Sequence, residues 1–138
     1  MKHLIFSYLI VSLAISCNSK EQQRLSEIRW IGEKIDGKKI QLQRQDEKIY
    51  IKFDTLNRVT GRAGCNRFSG VYKIEGKGKI VFSDIVTTKM TCPDIHIEAL
   101  FFRVLENTDS FTLRRNQLRL KGNGSTIAVF FADTGNDS

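Results

Sequence analysis

The chain has 138 residues, a formal net charge of +7, three cysteines and one proline. That length suits one domain around one hydrophobic core and leaves no room for a second. Its 22 basic residues are spread along the chain among 15 acidic ones, a pattern that fits a solvated basic surface and argues against a nucleic-acid-binding face.

Positions 1–16 read as an export signal. Lys2 supplies a positive start, Leu4 to Ile15 is apolar, and Ala14-Ile15-Ser16 places small residues just before Cys17. The apolar run falls short of the roughly twenty residues that span a bilayer, so removal is expected rather than retention. The stretch resembles a bacterial lipobox, in which the cysteine is diacylated on sulfur and becomes the first residue of the mature protein. Ala14 stands where leucine is usual, with Leu13 displaced by one. The alternative is ordinary cleavage after Ser16, leaving a soluble periplasmic or secreted protein with a free Cys17. Under the lipobox reading Asn18 points to the outer membrane, and the alternative to a merely solvated basic surface is a tethered basic face set against anionic lipid or lipopolysaccharide phosphates.

Residues 17–26, with Lys20-Glu21-Gln22-Gln23-Arg24, read as a polar tether. The domain is expected over 27–133, followed by a frayed tail at 134–138. From Trp30 onward the periodicity is mostly two, which predicts strands. Trp30 to Ile35 runs into Asp36-Gly37, a hairpin signal, and on to Lys39 to Leu42. Ile49 to Phe53 and Val59 to Ala63 flank Asn57-Arg58, and Val71 to Glu75 and Lys79 to Phe82 flank Gly76-Lys77-Gly78. Near the end, Phe111 to Arg114, Leu118 to Leu120 and Thr126 to Ala132 are separated by Asn116-Gln117 and Gly122-Asn123-Gly124. Short loops between neighbouring strands imply antiparallel pairing.

One segment breaks the period of two. Pro93 and Asp94 suit a first helical turn, and Ile97, Leu100, Phe101, Val104 and Leu105 recur at helical spacing. The expected fold is therefore α+β: a mainly antiparallel, strongly bent or barrel-like sheet with one helix, about 93–106, covering an open side. The doubled aromatics Phe101-Phe102 and Phe130-Phe131 put one ring of each pair on the second face. Either helix and sheet bury both rings, or an apolar groove remains for a lipid, peptide or partner.

Two stretches concentrate the unusual residues. One holds Gly64, Cys65, Asn66, Arg67, Phe68, Ser69, Gly70 and Tyr72; the other holds Thr88, Met90 and Cys92. Together with Trp30 they resemble the META domain of HslJ-like bacterial envelope proteins, over roughly Ile28 to Ala132. The resemblance implies a small, mainly β domain, often on exported lipoproteins, associated with heat or envelope stress and in other members with motility or virulence. It implies no known reaction, and it pairs Cys65 with Cys92 in a disulfide.

The cysteine count points the same way. If Cys17 is acylated, two thiols remain, and an oxidising compartment favours their pairing. Closing that loop stabilises a domain by about 3 to 4 kcal/mol on chain-entropy grounds. The competing readings are a Cys65 or Cys92 nucleophile with His96 as base, and a zinc site from Cys65, Cys92, Asp94 and His96. No close CxxC or HxxxH pair supports either. Gly61, Gly64 and Gly70 read as backbone devices where the sheet bends, and Asn66 and Ser69 as partners for nearby backbone.

These residues lead to a non-enzymatic envelope lipoprotein. It is expected to be monomeric, anchored to the membrane through Cys17, and without metal, cofactor or nucleic-acid partner. Its role would be binding or accessory, with an envelope protein or lipid as partner; the alternative is a purely structural module.

Overall fold

The computed structural model describes residues 19–135, so the export segment, Cys17 and the last three positions lie outside the described residues. Among the described residues nine strands form one sheet: β1 (Arg29–Ile35), β2 (Lys38–Lys39), β3 (Tyr50–Phe53), β4 (Arg58–Arg62), β5 (Arg67–Ile74), β6 (Ile80–Thr87), β7 (Ser110–Arg114), β8 (Gln117–Gly122) and β9 (Ser125–Ala132). Their order is β6-β5-β4-β3-β1-β9-β8-β7, with β2 paired to β1 off the main path. Helix α1 covers residues 19–26, and α2 is Ile95–Asn107.

Alternation along the strands sends Trp30, Ile51, Phe53, Tyr72, Leu118, Leu120 and Phe130 inward, where they are buried. The hairpin signals act as their chemistry requires. Asp36-Gly37 has φ of 49° and 76°, and Asn123-Gly124 has 50° and 79°, the positive angles that tight hairpin turns demand at both central positions.

The sheet curls far enough for its two edge strands to meet at one point. Lys79 bridges Ser110, Phe111 N–H donates to Gly78 O at 2.9 Å, and Ile80 N–H donates to Asp109 O at 3.2 Å. Register shifts at Gly32/Lys34, Ser69/Val71 and Leu120/Lys121 add curl. Beyond the bridge β6 diverges from β7, and α2 covers the opening with Phe101, Val104 and Leu105 buried. The Phe101 ring meets Phe68 at 5.3 Å and Phe130 at 6.3 Å, joining the two halves of the sheet through the core. The α+β class, the bent sheet and the covering helix are as expected, with the helix starting two residues later, after Asp94 as N-cap, and ending one residue later.

The segment read as a tether differs from that reading. Residues 19–26 are helical, and Leu25 is fully buried. Gln22 Nε2 donates to Thr55 O at 3.3 Å and to Asn57 Oδ1 at 2.9 Å. The buried Trp30 supplies the physical reason: its indole N–H needs an acceptor away from water, and Leu25 O takes it at 3.1 Å.

Candidate functional site

The β4–β5 connection, the β6–α2 loop and the first turn of α2 converge at the end of the sheet opposite α1, and the motif residues meet there. Gly64 begins the convergence with φ of 122°, a backbone state that side-chain-bearing residues rarely adopt. Its α-carbon faces the helix, and a β-carbon added there would lie 3.5 Å from Glu98 N. Cys65 follows, 2% exposed, and is disulfide-bonded to Cys92 with their α-carbons 5.9 Å apart. The bond ties the sheet to the segment that leads into α2.

Asn66 is the centre of the arrangement. Its side chain has two donor hydrogens and two acceptor positions, and all are used. Nδ2 donates to Met90 O at 3.1 Å and to Glu98 Oε2 at 2.9 Å, while Oδ1 accepts from Thr88 Oγ1 at 2.9 Å and from Met90 N at 2.7 Å. Its backbone N–H donates to Glu98 Oε1 at 3.1 Å. Asn66 and Glu98 are each 3% exposed, so both carboxylate oxygens are held by one asparagine, in the first turn of α2 where the helix dipole favours negative charge. Arg67 joins through its backbone, with its N–H donating to Thr88 Oγ1 at 3.2 Å and its carbonyl accepting from Thr88 N at 3.1 Å.

The other motif residues have separate tasks. Phe68 packs on Phe101 and Phe102. Gly70 sits in the β5–β6 register shift, and Ser69 pairs through its backbone with Thr60 and Val86. Tyr72 lies toward the far end of the sheet, fully buried, edge-on to Phe53 with ring centroids 5.0 Å apart, and its hydroxyl donates to Asp54 O. Burial pushes the Tyr72 phenol above its ordinary pKa; a hydrogen bond to Gln22 works against that push and the nearby Asp54 charge adds to it.

Glu98 is the position that motif reading missed, and Asp94, expected in a first helical turn or as a metal ligand, has a different task. Asp94 is 3% exposed, and its two oxygens accept from Gln43 N at 3.1 and 3.2 Å, tying the β2–β3 loop to the helix start. A signal existed. Positions 94, 98, 101 and 105 follow one stripe of the helix, so two acids stand on the face that Phe101 and Leu105 bury. The competing chemical readings lose their groups here. Both sulfurs are consumed by the disulfide, the Asp94 carboxylate is engaged, and His96 is exposed.

Beside this cluster runs a groove of 370 Å³, with Ile95, Ala99 and Phe102 on one wall and Thr87 to Thr91 on the other. Met90 and Ile95 at its rim are 56% and 45% exposed. Phe101 is thus core and Phe102 is groove wall, so the doubled aromatics divide between the two expectations.

The fold and cluster define a curled antiparallel domain clamped at one end by a disulfide and a saturated asparagine. The profile of the META domain matches residues 23–134, and the chain belongs to that family. A protein from Burkholderia xenovorans, solved by NMR, is similar at 25% identity with a TM-score of 0.64, over 85% of this chain and 89% of that one. A second NMR structure is 24% identical, also with a TM-score of 0.64, over 80% and 92% of the two chains. No curated protein matches the sequence.

Proposed function

We propose that the chain is an exported protein of the bacterial envelope, anchored by lipid on Cys17, whose META domain has a non-enzymatic binding or accessory role under heat or envelope stress. The observation that carries this reading is the Cys65–Cys92 disulfide, a bond that persists in oxidising compartments outside the cytoplasm and agrees with the export signal. The non-enzymatic part is supported by the state of the motif. Asn66 has every hydrogen-bonding position filled within the fold, and the thiols that would attack or ligate are joined to each other. The groove along α2 offers the binding reading an apolar surface beside this rigid end.

Mass spectrometry of the protein extracted from native membranes, with free thiols blocked and no reductant, tests the reading. The expected result is a diacyl or triacyl mass on Cys17 together with a peptide crosslinked between Cys65 and Cys92. An unmodified Cys17 on protein found only in the soluble fraction would replace the anchored reading with the secreted one. Blocked free thiols at Cys65 and Cys92 would overturn the disulfide and return the metal and nucleophile readings to the front.

A further inference from the structure

At the end of the sheet opposite the disulfide, four cations from four different elements surround one cleft of 550 Å³: Arg24 of α1, Lys77 of the β5–β6 turn, Arg114 of β7 and Lys121 of β8. Among the described residues none of the four is in an ion pair within 4.0 Å, although Lys121 feels the carboxylate of Asp109, which lies outside the lining, at longer range. The single carboxylate in the lining, Glu21, accepts from Gly78 N at 3.4 Å. The turn carrying Lys77 is held in place, since Gly78 O accepts from Phe111 N at 2.9 Å. Three of the cations are exposed and Lys121 is partly so. They stand ready for an anion, with their backbone positions set by the sheet and by α1.

The chain's own path identifies that anion. Arg24 lies seven residues beyond Cys17, and the described helix begins two residues after it. If Cys17 carries lipid, the cleft beside α1 is held at the bilayer surface, where phosphate is the abundant anion. We infer that this cleft receives the phosphate headgroup of an anionic phospholipid in the leaflet that holds the anchor, fixing which end of the domain faces the membrane. This rests on the anchored reading of Cys17. It would leave the disulfide end and the α2 groove directed away from the bilayer.

The test uses the mature chain carrying Cys17→Ser, so that no anchor contributes, and measures co-sedimentation with phosphatidylcholine vesicles with and without phosphatidylglycerol. The expected result is binding that requires phosphatidylglycerol and weakens as salt is raised. It should fall about fivefold for each cation removed in the pairs Arg24→Gln with Arg114→Gln and Lys77→Gln with Lys121→Gln. Lys38→Gln with Lys39→Gln, an equal loss of charge at the β1–β2 hairpin, should change binding much less. Equal effects of all three pairs would reduce the cleft to bulk charge and overturn the inference, as would binding without phosphatidylglycerol. Displacement by inorganic phosphate at matched ionic strength would also overturn it, in favour of a free-phosphate site. Because the tested protein has no anchor, failure here is separable from an unlipidated Cys17, which the mass measurement reads.

Discussion

Asn66 holds three segments together through one side-chain amide. The sequence reads Asn66 as a partner for nearby backbone, and its amide is saturated by Thr88, Met90 and Glu98. Its tendency to bond local backbone was legible from residue type. Its carboxylate partner, 32 positions away, was not, because a lone Glu on a helix is usually solvated and only the tertiary packing of α2 buries it. Tyr72 supplies a test at this scale. Burial raises its pKa above the ordinary 10.0, so the folded state retains a proton that the unfolded chain releases. Its contribution to stability is therefore fully present below pH 10 and is lost as pH rises toward the folded value. Denaturant melts of Tyr72→Phe at successive pH values should show a loss of about 1 kcal/mol near neutrality, from the missing hydrogen bond to Asp54 O. They should also show a shallower fall above pH 10 than the parent.

Among the elements, the strands were the most legible. Alternating burial and the Asp36-Gly37 and Asn123-Gly124 turns set most strand limits within one or two residues of those observed. The lengths of β5 and β6 were less so, since Phe68-Ser69-Gly70 and Ser83 to Thr87 pair across a register shift that breaks simple alternation. The sequence of helix α1 reads as a tether because only Leu25 is apolar among its polar neighbours, and one buried side chain makes no periodic signal. Its docking gives a direct contrast. A solvated tether would tolerate Leu25→Ala, whereas burial against the core makes that change cost about 2 to 4 kcal/mol, read as a lower midpoint in urea. Another element-scale test concerns the clamp between sheet and α2. The disulfide spans a sequence separation of 27, and its reduction should lower stability by about 3 to 4 kcal/mol. A Cys65→Ser, Cys92→Ser double variant should reproduce that loss and become insensitive to reductant.

At the scale of the molecule, the two ends of one curled sheet are finished differently. One is closed by a covalent bond and a buried polar cluster; the other by helix α1, a buried tryptophan and a cleft lined by four cations. The α+β class followed from strand periodicity with one helical interruption. The meeting of β6 and β7 at Lys79 and Ser110 did not, because it joins positions 31 apart through curl accumulated over the whole sheet. The distinction between the ends makes the family motif a device for rigidity, and the binding we propose would fall to the surfaces beside and opposite it. Equilibrium unfolding of oxidised Asn66→Ala tests this most directly. Removing the amide strands buried groups on Glu98, Thr88 and Met90, so a loss of about 3 kcal/mol or more is expected, with the Glu98→Ala change costing much less in that background than alone. An Asn66→Ala protein that unfolds at the parent's denaturant midpoint would contradict the structural role and point to Asn66 as a residue kept for a ligand.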